Sequence, residues 1–156
     1  MIGLCVQIRR DDLRSAAVTR LLAEHLEDAA RHSPPGSVHA LDVAGLRASE
    51  VTFWTAWDAA ELLGFGALKE LDALHGEVKS MRTATAHLGK GVASRILAFL
   101  IDEARARGYT RLSLETGSGK AFEPAHRLYE KFGFRYCGPF GSYSEDPFSR
   151  FMTLAL

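Results

Sequence analysis

The stretch that decides the fold is Met81-Arg82-Thr83-Ala84-Thr85-Ala86-His87-Leu88-Gly89-Lys90-Gly91-Val92-Ala93. In this stretch a strand pattern ends, a loop turns, and a strong helix pattern begins. Glycines let a ligand approach the backbone, and the first amides of a helix have no internal partner and carry the positive end of its dipole. The pattern therefore predicts a site for an anion such as a diphosphate, with Lys90 adding a positive charge toward the same oxygens.

Three strand patterns precede this loop, separated by short polar turns. They cover residues 51–57, 62–71 and 77–83. Turns this short join antiparallel strands, so the pattern predicts an antiparallel meander that leads into the loop.

The N-terminal part of the chain is expected to hold one strand and one helix. The strand lies near residues 4–8, and the helix is capped by Asp11 or Asp12 and runs to about His32. Residues 38–50 follow a Pro-Pro-Gly turn and fit either a strand or a short helix.

After the loop, the chain alternates between helix and strand. An amphipathic helix begins at Val92, and Gly108 lies just past its end as a C-cap. Pro124 lies early in a second helix, where its missing N–H costs nothing. The later elements are a strand over 111–116, a helix over 122–131, and strands over 134–137 and 150–156. Together these patterns predict an α/β fold built on one mixed sheet.

Size and composition limit the possible functions. The chain has 156 residues, of which 47% are hydrophobic, so we expect residues 1–156 to form a single domain. Nineteen basic residues balance nineteen acidic ones, which argues against nucleic-acid and membrane partners. Cys5 and Cys137 form no metal or disulfide pattern and are expected to be reduced and buried. The short apolar start precedes its basic residues, unlike a signal peptide, so we expect a soluble, cytoplasmic protein.

Two other phosphate-binding motifs were compared with the loop. A P-loop is excluded because the spacing to Gly-Lys-Ser/Thr is absent. A dinucleotide site remains open, since Gly89 and Gly91 open a helix after a strand and Glu115 ends the next strand. Ser94 stands where the third glycine of that fingerprint belongs.

The loop also resembles the pyrophosphate motif of the GNAT superfamily of acetyltransferases, written Q/R-x-x-G-x-G/A. Gly91 and Ala93 match this motif, whereas Leu88 replaces its Arg or Gln and is flanked by His87 and Lys90. A second GNAT signature, A-x-x-L-Y-E-K-x-G-F, is similar to Ala125-His126-Arg127-Leu128-Tyr129-Glu130-Lys131-Phe132-Gly133-Phe134. The chain is identified as a member of this superfamily, within a bacterial subgroup of acetyltransferases.

The resemblance implies a fold and an activity. The GNAT fold has a mostly antiparallel sheet of six to seven strands, flanked by about four helices and splayed between the fourth and fifth strands. Its members take acetyl-CoA as co-substrate, without a metal, and move the acetyl group directly to the amine of a small molecule or peptide. A homodimer is also expected. The alternatives are a non-catalytic acyl-CoA-binding module and, less favoured, the dinucleotide-dependent oxidoreductase.

The same resemblance assigns roles to residues. Tyr129 is the general acid, Glu77 the general base, and backbone groups of Met81 and Thr83 bind pantetheine, with one N–H facing the oxyanion. The residues expected at the cofactor are Met81, Arg82, Thr83, Leu88, Gly89, Lys90, Gly91, Val92 and Ala93. The residues expected at the acceptor are Glu115, Ser142 and Tyr143.

Each assignment has a structural alternative. Tyr129 fits a core aromatic residue, Glu77 an exposed strand carboxylate, and Glu115 a helix-capping or ion-paired carboxylate. Three histidines without metal-ligand spacing are interpreted as surface or structural residues, and two tryptophans as parts of the core. These residues are His39, His75, His126, Trp54 and Trp57.

Overall fold

The fold is organised by one mixed sheet in the computed structural model, which describes residues 3–156. Within that range the strands are β1 (Gln7–Arg10), β2 (Val51–Asp58), β3 (Glu61–Asp72), β4 (His75–Thr83), β5 (Arg111–Gly117), β6 (Arg135–Cys137) and β7 (Ser149–Ala155). Their order across the sheet is β1-β2-β3-β4-β5-β7-β6. β4 and β5 are parallel, and the other neighbouring pairs are antiparallel. The expected mixed α/β architecture is confirmed.

Helices cover both faces of this sheet. The helices in the described range are α1 (Ala16–Arg31), α2 (Val43–Leu46), α3 (Val92–Ala106) and α4 (Glu123–Lys131). One core cluster joins α3 and α4 to the sheet through residues that include Trp54, and the other joins α1 and α2 through residues that include Phe53. Because consecutive residues of a strand point to opposite faces, the two clusters lie on the two sides of the sheet.

The sheet opens between its fourth and fifth strands, as the resemblance implied. Pairing between β4 and β5 is confined to His75–Glu77 and Arg111–Ser113. The β3–β4 ladder is irregular between Phe65 and Ala67, and Ser80 on the facing part of β4 has a φ of 54°. Such an irregularity bends a strand, so β4 diverges from β5 and leaves its inner edge without a strand partner.

The start of α1 differs from the prediction. Ser15, rather than Asp11 or Asp12, caps the helix, and its hydroxyl accepts a hydrogen bond from the amide of Val18 at 3.3 Å. The Asp11 carboxylate instead accepts the amide hydrogen of Leu13 at 2.7 Å. A short local bond of this kind competes with helix formation, which explains why α1 begins later.

The uncertain segment 38–50 contains the short helix α2 rather than a strand. Asp42 caps it by accepting a hydrogen bond from the amide of Gly45 at 2.9 Å. At the N-terminus, β1 begins at Gln7, later than the strand predicted near residues 4–8. The first two residues of the apolar start lie outside the described part of the chain.

Burial confirms the interpretation of the tryptophans and corrects that of one cysteine. Trp54 and Trp57 are buried in the core. Cys137 is partly buried, whereas Cys5 is exposed, and both thiols are free. In residues 3–156 we find no helix with the length and apolarity needed to cross a membrane.

Candidate active site

The start of α3 presents unpaired backbone amides. Gly89 and Gly91 have φ values of 76° and 81°, a region that glycine adopts without strain. Gly91 is the N-cap and offers no side-chain cap. The helix's first internal hydrogen bond runs from the amide of Arg95 to the carbonyl of Gly91, at 3.2 Å. The three amides of residues 92–94 therefore lack a helical partner and are available to an anion.

These amides face a groove of about 600 Å³. A Cβ atom built on Gly91 would have no protein atom within 4 Å, so this glycine borders open space. One wall comes from the end of β4 and the start of α3, and the other from α4. The expected cofactor residues that line the groove are Met81, Arg82, Thr83, Leu88, Gly89, Gly91, Val92 and Ala93.

Lys90 is the one expected cofactor residue that does not line the groove in this structure. Its Nζ lies 3.3 Å from Nδ1 of His87, whose Nε2 lies 3.0 Å from a carboxylate oxygen of Glu61. His87 is buried and lines the groove, whereas Leu88 is 63% exposed at its rim.

Arg82 joins the groove to α1. Its guanidinium forms an ion pair with Asp28 at 2.6 Å, and this hydrogen bond lowers the pKa of the Asp28 carboxyl. Asp28 could not be predicted from the sequence, because a carboxylate on a helix face is ordinary and its partner is distant in the chain. The pair positions α1 beside the groove.

A second, smaller cavity of about 180 Å³ meets the groove, and we call it the acceptor pocket. Met81, Ala125 and Tyr129 line both cavities, so the two meet at these side chains. Its polar lining residues are His25, Ser33, Ser37, His39, Lys79, Ser80, Glu115, Thr116 and Tyr129. Most of these were missed from sequence, since they come from segments that only the tertiary fold brings together.

Tyr129 is held in α4 at the junction of the two cavities. It is 7% exposed, and its ring packs edge-on against Phe134 with ring centres 5.7 Å apart. Burial raises the pKa of the Tyr129 hydroxyl. In the described part of the chain, no hydrogen bond occupies this hydroxyl. It is therefore protonated at neutral pH and free to donate toward either cavity.

Glu115 lies in the acceptor pocket together with Tyr129. Its carboxylate accepts a hydrogen bond from the hydroxyl of Ser149 at 2.8 Å. Burial raises the pKa of Glu115, while Ser149, His39 and Lys79 oppose the rise. A carboxylate with a raised pKa is better suited to accept a proton near neutral pH.

Glu77, by contrast, points into a neighbouring cavity of about 160 Å³, where Ser142 and Tyr143 also lie. Glu77 is 2% exposed, so the alternative of an exposed strand carboxylate is wrong. Tyr143 donates its hydroxyl hydrogen to Glu77, and Lys79 lies 3.5 Å from the same carboxylate. Glu77, Ser142 and Tyr143 thus line a different cavity from Glu115 and Tyr129, although His39 and Lys79 line both cavities.

The three histidines have different surroundings. Nε2 of His75 lies 2.7 Å from the Ser113 hydroxyl, and Nε2 of His126 lies 2.8 Å from the Gly117 carbonyl, so both are structural. His39 instead lines the acceptor pocket, and its side chain packs edge-on against Tyr143. Among the described residues, no group of three or more His, Cys, Asp or Glu side chains is placed to hold a metal ion.

The model of the Acetyltransferase (GNAT) family matches residues 17–134 of the chain. The chain belongs to this family. It is 57% identical over 151 residues to the uncharacterized N-acetyltransferase YsnE of Bacillus subtilis (strain 168), covering 97% of this chain and 100% of that protein.

Solved GNAT structures share the fold. A protein from Klebsiella pneumoniae described as an acyl-CoA N-acyltransferase superposes with a TM-score of 0.80 at 27% identity, covering 97% of this chain and 98% of that one. A GNAT family acetyltransferase from Elizabethkingia anophelis, solved with acetyl-CoA bound, gives a TM-score of 0.70 at 19% identity with the same coverage.

Within this GNAT acetyltransferase, the two signatures lie on opposite walls of the groove. Gly91 and Ala93 form the wall at the start of α3, and Ala125 and Tyr129 form the wall on α4. The dinucleotide alternative is superseded by the family membership, and Glu115, its expected ribose ligand, lines the acceptor pocket instead.

Proposed function

We propose that this GNAT acetyltransferase moves the acetyl group of acetyl-CoA directly to the amine of a small molecule or of a peptide end. The observation that carries the proposal is the meeting of two cavities at Tyr129. One cavity presents free helix amides to a diphosphate, and the other offers a carboxylate to an amine. Two ligands that meet at one side chain can react without a covalent enzyme intermediate.

The residues around the groove would bind acetyl-CoA and polarise its acetyl group. The amides of residues 92–94 would hold the diphosphate, and the unpaired inner edge of β4 would hydrogen-bond the pantetheine arm. The groove is lined mainly by small and apolar residues along α4, which suits a thin, extended arm. Acetyl-CoA supplies the activated acetyl group when bound. An N–H of β4 near Met81 would stabilise the charge that develops on the acetyl oxygen.

Two proton transfers complete the proposal. Tyr129 donates its hydroxyl proton to the departing thiolate, because its raised pKa keeps that proton in place until it is needed. Glu115 accepts a proton from the amine, because it lines the same pocket as Tyr129. We favour Glu115 over Glu77 as the base, since the Glu77 carboxylate already accepts a hydrogen bond from Tyr143 and lines the neighbouring cavity rather than that pocket.

Ligand binding and turnover test the proposal in turn. Acetyl-CoA should raise the melting temperature of the protein, because it binds the folded state alone, whereas NAD at the same concentration should not. Thiol release from acetyl-CoA should then depend on an added amine from a panel of primary amines. Protection by acetyl-CoA with no amine-dependent thiol release across the panel would favour the non-catalytic module.

A further inference from the structure

Two buried side-chain polar atoms in residues 3–156 have no hydrogen-bond partner, and both lie on the diverging part of β4. They are the hydroxyl oxygen of Ser80 and Nε of Arg82. Buried polar groups are almost always paired, because an unpaired one loses its hydration without compensation. Arg82 lines the groove, whereas Ser80 lines the acceptor pocket. Each of the two ligand cavities therefore contains one unpaired group.

The backbone conformation of Ser80 is also unfavourable. Its φ of 54° is in the left-handed region, which glycine adopts far more easily than serine. Strained backbone of this kind concentrates at sites where geometry serves function. Ser80 thus combines an unfavourable backbone conformation, at the irregularity of the β3–β4 ladder, with a hydroxyl that has no partner among the described residues.

Two other polar side chains of the pocket already have partners. The Ser37 hydroxyl donates to the Asp146 carboxylate, and Lys79 donates to Tyr143 and to the carbonyl of His39. Ser80 lines the same pocket, and its buried hydroxyl has no hydrogen-bond partner among residues 3–156.

The charge of the pocket indicates what that group binds. Lys79 lies 3.5 Å from Glu77, which balances its charge. His25 is uncharged at neutral pH, because burial and the Arg82 guanidinium lower its pKa to about 4 against the opposing effect of Asp28. Glu115, in contrast, is hydrogen-bonded to the neutral Ser149 and forms no ion pair among residues 3–156, although His39 and Lys79 act on it from a greater distance. The pocket therefore favours a positive group and disfavours a carboxylate.

We propose that Ser80 binds the acceptor, its hydroxyl accepting a hydrogen bond from an ammonium group that Glu115 faces from β5. The part of the acceptor that enters the pocket is a compact cationic amine without a negative charge. The volume of 180 Å³ agrees with this, since it is below the roughly 300–1,000 Å³ of pockets for drug-sized ligands. This inference rests on the proposed function, and it adds a residue and a substrate class to it.

Binding to the full-length protein tests the inference without the need to know the natural acceptor. The reporter is the ¹³C-labelled methyl group of Met81, which lines the acceptor pocket, observed by NMR in protein saturated with coenzyme A. n-Propylammonium should shift this signal and saturate, whereas propionate of the same size should bind at least tenfold more weakly. Equal binding of the two, or no binding of n-propylammonium, would overturn the inference.

Variants separate a binding role from a structural one. Ser80→Ala should weaken n-propylammonium binding on the order of tenfold, by the loss of one hydrogen bond, with no fall in melting temperature. Ser80→Gly, which also removes the strain, should bind as weakly. The control Ser113→Ala should keep n-propylammonium binding and lower the melting temperature, because Ser113 is buried and hydrogen-bonded to His75 and Thr153. Wild-type binding by both Ser80 variants would refute the role of the hydroxyl.

These experiments distinguish failure of the Ser80 inference from failure of the proposed acetyl transfer. If acetyl-CoA protects the protein from heat but the Ser80 variants bind n-propylammonium normally, the inference fails and the transfer proposal stands. If acetyl-CoA gives no protection, the transfer proposal itself fails.

Discussion

The hydroxyl of Tyr143 lies 2.6 Å from a carboxylate oxygen of Glu77 and donates its hydrogen to it. The Nζ of Lys79 is 2.9 Å from the same hydroxyl. Burial first, and then the charge of Glu77, raise the pKa of Tyr143, so its proton stays in this bond at neutral pH. The bond fastens the loop that contains Tyr143 to β4, and it satisfies a carboxylate that water does not reach.

Tyr143→Phe should therefore destabilise the fold. The substitution leaves Glu77 buried with one partner fewer, which should cost about 1–3 kcal/mol and lower the melting temperature by several degrees. Calorimetry provides the measurement. The control is Tyr136→Phe, because Tyr136 is 53% exposed and its bond to Glu130 lies at the surface, so its removal should have little effect. Equal melting temperatures for the wild type and Tyr143→Phe would contradict this account of Glu77.

Gly91→Ala should weaken acetyl-CoA binding at least tenfold. The new methyl group would enter the open space in front of the helix amides, where the diphosphate is expected, and alanine is strained at a φ of 81°. Gly108→Ala is the matched control, since Gly108 has a φ of 83° at the other end of α3 and also borders open space. Both variants should lose similar stability, roughly 1–2 kcal/mol, but titration calorimetry should detect weaker binding only for Gly91→Ala. Equal loss of affinity in both would argue against the binding site at the start of α3.

Tyr129→Phe should lower kcat by about 10²–10⁴-fold, because it removes the proposed proton donor. The affinity for acetyl-CoA and the melting temperature should change little, since the hydroxyl has no partner among the described residues. Tyr109→Phe is the control, as Tyr109 is buried in the same core cluster and donates to Glu70 at 3.0 Å, outside both cavities. That variant should lose stability and keep its kcat. Wild-type turnover by Tyr129→Phe would remove Tyr129 from the mechanism.

The raised pKa of Glu115 predicts how stability depends on pH. The folded state favours the protonated form, so this stabilisation is complete below the ordinary pKa of 4.5 and is lost as pH rises through the raised value. The neutral variant Glu115→Gln should therefore melt at a higher temperature than the wild type at pH 7.5. The difference should vanish when both proteins are melted below about pH 4.5. A difference that stays constant across this range would show that charge on Glu115 is not its cause.

The same variant tests the role of Glu115 in the reaction. Glu115→Gln should abolish the acidic limb of the pH profile of kcat/KM, because the group that must be deprotonated is gone. Ser149, His39, Lys79 and Glu77 all influence Glu115 and remain in place in the variant. If the acidic limb of the pH profile is unchanged in Glu115→Gln, Glu115 is not the general base and Glu77 is again the candidate.

Local sequence patterns predicted the groove better than the acceptor pocket. The start of α3 could be placed because glycines, helix periodicity and the preceding strand lie within a few residues of one another. Ser15 was missed as the cap of α1 because Asp11, an equally good cap, is held by a local bond to Leu13.

The acceptor pocket could not be predicted because its contacts are distant in the chain. Lys79 donates to the carbonyl of His39, which is 40 positions away in the chain, and both residues line the pocket. The conformation of Ser80 depends on an irregular ladder between β3 and β4. Gly66 of β3 lies at that irregularity, but no glycine or proline in β4 marks residue 80 itself.

The divergence of β4 from β5 gives the sheet an inner edge in addition to its two outer ones. Exposed strand edges are templates for further strands and promote aggregation. Here α1 and α4 flank the edge through Asp28 and Tyr129, which both border the groove. The two helices cover the edge from both sides and leave a groove of about 600 Å³ along it. The fold thus keeps backbone hydrogen-bonding capacity available for chemistry without offering it to neighbouring molecules.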